Sequence, residues 1–143
     1  MPETTFLNGK LRIRSLTAFE LPLPADAPTM KRLLLPQGEL AQIYDAAEGV
    51  RYLAFIELRP GTVRGNHYHK VKEEWVYLIA GEVLLIAEDI ETKARESVPL
   101  RAGDLAVIQT GIAHALQVRH SGQAVEFSPA RFDPLDIHKF PLA

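Results

Sequence analysis

Three histidines and one glutamate carry the spacing of a metal centre. His67 and His69 flank a single residue, Glu74 follows a few positions on, and His114 stands far downstream. On a strand, residues two apart share a face. His67 and His69 can therefore converge on one ion while Tyr68 points away. A short turn over Lys70–Glu73 is expected to send the chain back antiparallel. Glu74 would then open the next strand beside the histidine pair, and His114, opening a later strand, would close the set. Three imidazoles and a carboxylate suit a divalent transition ion such as Zn, Fe, Ni, Mn or Cu. A lone histidine in a half-buried strand is usually structural, but this pattern is compound. A His-x-His pair with a glycine six residues before it and a glutamate four or five after it arises by chance roughly 0.002 times in such a chain.

Short apolar runs separated by turn signals must position these residues. Arg51–Leu58, Glu74–Ala80, Glu82–Glu88, Leu105–Ile108, Ala113–Arg119 and Ala124–Ser128 are rich in β-branched and aromatic residues and read as strands. Pro60-Gly61, Ala80-Gly81, Ala102-Gly103, Thr110-Gly111 and Ser121-Gly122 read as the turns between them. Upstream, Asn8-Gly9 marks a hairpin turn between Phe6-Leu7 and Leu11–Ile13. Leu21–Pro28 is too proline-rich for a helix or a central strand. Lys31–Leu35 and Glu39–Tyr44 read as two more strands. Phe132–Leu142 reads as a loop with one helical turn at most. Many short strands at even spacing predict an all-β sandwich or barrel with negligible helix. Val76 and Leu78 share one face of their strand, and Trp75, Tyr77 and Ile79 the other. Both faces are apolar, so both must be covered, by the N-terminal segment, a second copy of the chain, or both.

Composition bounds the rest. The 143 residues are 47% hydrophobic and 24% charged, which excludes disordered and collagen-like chains. A domain of this size buries about 68% of its unfolded surface and needs no metal merely to fold. The absence of cysteine removes thiol catalysis, thiolate ligands and disulfides. With 16 basic against 18 acidic residues and no basic stripe, neither nucleic acid nor a membrane surface is an expected partner. Met1–Lys10 has no apolar signal core and no run approaches a membrane span, so a cytoplasmic protein is expected.

The two histidine segments resemble the two motifs of the cupin superfamily. The first is Gly, five residues, His-x-His, three or four residues, Glu, six residues, Gly. Gly61, His67, His69, Glu74 and Gly81 fit it fully. The spacing also admits Glu73, but the strand running on into Trp75 favours Glu74. The second motif is Gly, five residues, Pro-x-Gly, two residues, His, three residues, Asn. Gly103, Gly111 and His114 fit it, with Gln109 at the proline position and Val118 at the asparagine. The resemblance implies a jelly-roll barrel of the double-stranded β-helix type and one cupin domain over 1–143. Its parts would be N-terminal strands and an extended segment to 50, a core over 51–128 and a C-terminal loop over 129–143. It also implies a metal on His67, His69, Glu74 and His114, and a homodimer.

Thr62–His69 and Arg131-Phe132-Asp133-Pro134 further resemble the C-terminal cupin domains of capsular-polysaccharide enzymes that modify nucleotide-linked deoxysugars. Arg64–Lys70 is similar to the Arg-Gly-x-His-x-His-Lys segment of sugar oxoisomerases. Those resemblances imply zinc and epimerisation or isomerisation next to a sugar ketone. The expected substrate is a small keto-sugar, with Arg64 on a phosphate and Asn66 and Gln109 as further contacts at the barrel mouth. The general acid/base is not identified: Tyr52, Tyr77, Lys70 and His120 qualify by residue type alone. An iron-dependent dioxygenase and a non-catalytic small-molecule-binding cupin are the alternatives, because one fold hosts many chemistries.

Overall fold

The computed structural model describes residues 2–143, which form twelve strands and two 3-10 turns. The N-terminal strands are β1 (Glu3–Phe6), β2 (Leu11–Ser15), β3 (Ala18–Phe19), β4 (Lys31–Leu35) and β5 (Gly38–Gln42). The middle of the chain supplies β6 (Tyr52–Leu58), β7 (Val63–Tyr68), β8 (Glu74–Asp89) and β9 (Arg95–Arg101). β10 (Asp104–Ile108), β11 (Ile112–Ser128) and β12 (His138–Lys139) complete the set. The 3-10 turns are Leu7–Gly9, which closes the β1–β2 hairpin, and Pro134–Asp136. No helix among the described residues is long and apolar enough to cross a membrane.

The fold is an all-β jelly roll built on two long strands. The first half of β8 pairs with β10 and with the second half of β11, which also pairs with β6. The second half of β8 pairs with β9 and with the first half of β11, which also pairs with β7. β2 and β1 extend the first sheet beyond β10, and β12 extends the second beyond β7. Two sheets thus face each other and share β8 and β11, which turn the corner between them.

At that corner the sequence reading is corrected. Ala80-Gly81 and Ser121-Gly122 are not turns between four short strands; they are bends within two long ones. The β8–β11 register shifts there between Val118 and Ala124. The backbones approach so closely that a Cβ on Gly122 would lie 1.7 Å from the Ala80 carbonyl oxygen. Glycine is required by the contact, and the local bulge re-aims both strands. β9 was not anticipated, because Pro99 interrupts it and Arg95, Glu96 and Arg101 make it polar. It pairs only with β8, so the missing proline N–H falls on an edge strand, and Val98 and Leu100 alternate into the core. The C-terminal segment holds not only its 3-10 turn but also β12, which pairs with the edge of β7.

Three apolar clusters result. Between the sheets lie Leu11, Leu58, Leu78, Leu85, Leu100 and Ile108, all almost fully buried. Outside the first sheet, Tyr77, Leu105, Val107 and Phe127 are covered by the N-terminal segment through Leu16, Met30, Ile43 and Tyr44. Trp75 and Tyr77 therefore find their cover within the chain. Outside the second sheet, Ile86, Ala113 and Ala115 are covered by Phe140 and Leu142 of the C-terminal strap.

Candidate metal centre

His67 lies on β7 directly opposite His114 on β11, and the register slips immediately after His114. The two rings sit 4.9 Å apart by centroid. Gly65 makes this approach possible: its φ is +91°, and a Cβ there would lie 2.7 Å from the His114 carbonyl oxygen. His69 follows the end of β7 and is 5% exposed. The chain then crosses between the sheets. β7 and β8 do not pair, and Glu74 sits opposite Ile108 on β10. Glu74 thus faces the histidines across the gap between the sheets, not from a neighbouring strand as the sequence reading has it. The expected tight hairpin over Lys70–Glu73 is absent because the backbone N–H groups of Lys70, Val71 and Lys72 are all held by the Asp136 carboxylate.

One ligand atom from each of His67, His69, Glu74 and His114 lies within 4.8 Å of all the others. In a tetrahedral site with bonds of ~2.1 Å the ligand atoms lie about 3.4 Å apart, so the widest pairs of the set would draw in by about an ångström on binding an ion. The tautomers favour ligation. His114 Nδ1 donates to the Ile112 carbonyl at 3.0 Å and His69 Nδ1 to the Asp136 carbonyl at 2.7 Å. A carbonyl only accepts, so each ring carries a proton on Nδ1, and in the neutral ring Nε2 presents a lone pair. Both Nε2 atoms are buried and make no hydrogen bond, although Glu74 Oε2 lies 2.6 Å from Nε2 of His114. Two lone-pair atoms so close repel each other unless a proton or a cation stands between them. The donor set therefore fits a divalent ion.

The electrostatics favour ligation at His67 and Glu74, whereas His114 is biased toward the cation, whose proton a bound ion would displace. Burial, reinforced by His114, drops the His67 pKa to about 4, so this ring is neutral at physiological pH. Burial disfavours the charge on Glu74, but His114 and His69 outweigh it and hold the carboxyl well below its ordinary range. Burial also disfavours the His114 cation, and the Glu74 charge overcomes it and raises that pKa. His67, Glu74 and His114 line a cavity of about 100 Å³ between the sheets, with Ile56, Val76 and Leu116 as apolar wall and Arg64 and Glu126 as further polar lining; His69 is not part of that lining.

Residues 54–130, more than half of the chain, match the family described as a cupin domain. The chain belongs to the cupin family. Comparison with curated proteins finds no match. Among solved structures, this cupin is similar to the RmlC epimerase of Mycobacterium tuberculosis, with a TM-score of 0.75 at 15% identity, covering 97% of this chain and 72% of that one. It is also similar to a dTDP-6-deoxy-D-glucose-3,5-epimerase of Legionella pneumophila, solved in complex with dTDP-4-keto-L-rhamnose. There the TM-score is 0.72 at 17% identity, over 95% of this chain and 75% of that one. A 3,4-ketoisomerase of Helicobacter canadensis gives 0.66 at 13% identity, over 76% and 85%. At these identities the likeness is one of fold.

The other residues singled out from the sequence of this cupin divide. Arg64 lines the cavity, and its guanidinium donates to the Glu57 carbonyl at 3.3 and 3.1 Å. Asn66 does not line it. Its Nδ2 donates to the Ala143 carbonyl, and its Oδ1 accepts from the N–H groups of Leu142 and Ala143, so the amide is committed to the strap. Gln109 follows β10, donates its backbone N–H to the Lys10 carbonyl, and is likewise absent from the cavity wall. Glu73 accepts from Trp75 Nε1 at 2.6 Å and lies outside the ligand group. Of the four acid/base candidates, Tyr77 packs under the N-terminal cover, Lys70 is exposed, and His120 is exposed beside Glu82. Only Tyr52 adjoins the centre, its ring 4.4 Å from Lys72 Nζ.

Lys72 and Glu126 are the residues that sequence reasoning missed. The Lys72 side chain is 5% exposed; its Nζ lies 2.9 Å from Glu126 Oε1 and 3.5 Å from Glu74 Oε1. Burial, with Glu74 nearby, lifts the Glu126 pKa to about 7. Burial disfavours the Lys72 cation, but its bond to Glu126 and the Glu74 charge raise its pKa. A signal for Glu126 was present: period-2 alternation puts it on the face of Ala124 and Ser128, both buried. Lys72 gave none, since it sits in a charged turn whose path only the fold reveals.

Proposed function

We propose that this cupin is a metal-dependent epimerase or isomerase of a keto-sugar, one carried on a nucleotide. The observation that carries the reading is the convergence of His67, His69, Glu74 and His114, each offering a ligand atom within 4.8 Å of the others, with the Nε2 atoms of His69 and His114 buried beside the Glu74 carboxylate. The sugar epimerases and ketoisomerase that share the fold support the substrate class. His67, His69, Glu74 and His114 would hold one divalent ion, with zinc the favoured identity. When bound, such an ion supplies Lewis-acid polarisation of a carbonyl and so acidifies the adjacent C–H. Glu126 lies on the cavity wall outside the ligand set and holds or returns the proton at its carboxylate. Lys72 fixes that carboxylate through Oε1. Ile56, Val76 and Leu116 limit water around the reacting carbon. Arg64 grips a phosphate at the rim, where a planar guanidinium suits bidentate contact. Leu53 and Phe55, both 68% exposed on the edge strand β6, support a homodimer.

The test combines elemental analysis with deuterium exchange into a panel of nucleotide 4-keto-deoxysugars. About one ion per chain is expected in the wild type and none in His67→Ala/His114→Ala. Exchange at the carbon beside the ketone should require the metal. Glu126→Gln should keep the ion and lose about 100-fold or more in exchange rate, the usual range for a general acid/base. Full occupancy in the double variant overturns the centre. No exchange with any sugar, together with oxygen uptake on a diketone or catechol, transfers the case to a dioxygenase.

A further inference from the structure

The strap after β11 lies almost wholly outside the matched cupin segment, which ends at residue 130. Within it, Asp136 is 7% exposed and uses both its side chain and its main chain on the loop that follows β7. The carboxylate accepts from the backbone N–H of Lys70 at 2.8 Å, of Val71 at 3.2 Å and of Lys72 at 3.0 Å. The carbonyl of the same residue accepts the Nδ1 proton of His69 at 2.7 Å. Asp133, three residues earlier, shapes the turn by accepting from the N–H of Leu135 at 2.9 Å. Three consecutive backbone donors gathered on one carboxylate fix the path of the loop. The carbonyl then meets a ring whose rotamer and tautomer it selects.

We propose that Asp136 is a positioning residue for His69: by clamping the 70–72 backbone and accepting from Nδ1, it holds the His69 Nε2 lone pair toward Glu74 and His114. The proposal rests on the metal-centre reading above. It extends the centre to a strap that the family match leaves out. Truncating the carboxylate frees three N–H groups, one of them on buried Lys72, and lets the Asp136 carbonyl drift from the ring. A ring without that acceptor populates the other tautomer, whose Nε2 carries a proton and cannot ligate.

The experiment measures zinc affinity by chelator competition for the wild type, Asp136→Ala and Asp136→Asn. Val98→Ala, a core change on β9 away from the cavity, serves as the control for lost stability. Nitrogen-15 spectra of the metal-free proteins report which ring nitrogen of His69 carries the proton. Asp136→Ala should bind zinc roughly 10–100-fold more weakly, the usual cost of losing an outer partner of a ligand. Asp136→Asn, which keeps an acceptor oxygen and the shape, should fall between. Val98→Ala should stay within about twofold, as distant sites do. The Nδ1–H form of His69 should dominate in the wild type and decline in both Asp136 variants. Both Asp136 variants binding within about twofold of the wild type overturns the proposal and leaves the centre standing. A wild type that binds no zinc overturns the centre instead, and the His69 spectra then decide the proposal: a tautomer unchanged in both variants sinks it.

Discussion

The two outer faces of the jelly roll are covered in different ways. The N-terminal cover is held by apolar and aromatic contact: Tyr44 meets Trp75 at 5.0 Å and Phe127 at 5.5 Å, and Trp75 meets Phe127 at 5.5 Å. The C-terminal strap contributes Phe140 and Leu142 to packing but is fastened largely by directional bonds. Asn66 holds both of its last two residues, Arg95 Nη2 donates to the Leu142 carbonyl at 2.8 Å, and Asp136 gathers the 70–72 loop. Apolar burial stabilises without regard to direction. It can hold a sheet in place but cannot choose the tautomer of a ring. Hydrogen bonds are angular and can. The N-terminal cover should therefore govern stability, and the strap the geometry of the centre.

The largest expected effect falls on the corner that joins the two covered sheets. In Gly122→Ala the new Cβ would meet the Ala80 carbonyl oxygen at 1.7 Å and its carbon at 2.2 Å, both backbone atoms that no rotamer change can move. A loss above about 4 kcal/mol is expected, enough to leave an insoluble or uncooperative protein by circular dichroism. Gly49→Ala, with nothing within 4 Å and no positive φ, should leave the melting temperature unchanged. A soluble Gly122→Ala protein melting with the wild type would show that the two sheets do not depend on this corner.

That corner also marks what the sequence could and could not convey. Alternation puts His67 and His69 on one face and shows that both faces of Glu74–Ala80 need cover, and the ligand spacing brings out His67, His69, Glu74 and His114 because each obeys a local rule. Gly81 and Gly122 look the same in sequence whether the chain reverses or two strands merely touch. Only the partner backbone distinguishes these cases, and it lies about forty residues away in each direction. β9 was hidden because Pro99 contradicts strand propensity, and only its edge position makes the proline harmless. Asn66 and Gln109 illustrate a further limit. A polar residue beside a ligand strand can serve a substrate or the chain's own backbone, and here the strap takes Asn66. Asp136 carries no motif at all; its role follows from a loop that it meets in space.

Tyr44→Ala tests the apolar side of the comparison. The ring is half-buried and touches two aromatic neighbours. Its removal should cost about 2 kcal/mol, less than the 3–5 of a fully buried aromatic, and lower the denaturation midpoint in urea. Zinc affinity, measured as for Asp136→Ala, should not move. Equal losses of affinity in the two variants would erase the division between the covers.

The smallest expected effect shows where the N-terminal region is itself polar. Asp89, at the end of β8, is 2% exposed and accepts from Lys10 Nζ at 3.1 Å and from the backbone N–H of Glu91 at 2.9 Å. It ties the N-terminal hairpin to the sheet that carries the strap. Burial opposes its charge, but the backbone donors of Glu91 and Thr92 and the Lys10 ammonium prevail and hold its pKa below the ordinary value. A carboxyl with a lowered folded pKa adds stability above its unfolded value, about 3.9, and loses it as the pH falls through the folded one. Asp89→Asn should therefore melt a few degrees below the wild type at pH 7, for a loss of about 1–2 kcal/mol. The gap should narrow as the pH drops below about 4. The Lys10 side chain is 38% exposed, so salt should weaken its share while leaving that of the two uncharged backbone N–H donors. A gap of equal size at pH 3 and pH 7 would mean that the tie is steric, with the asparagine simply fitting the turn less well. A gap abolished by salt at pH 7 would assign it to Lys10 alone.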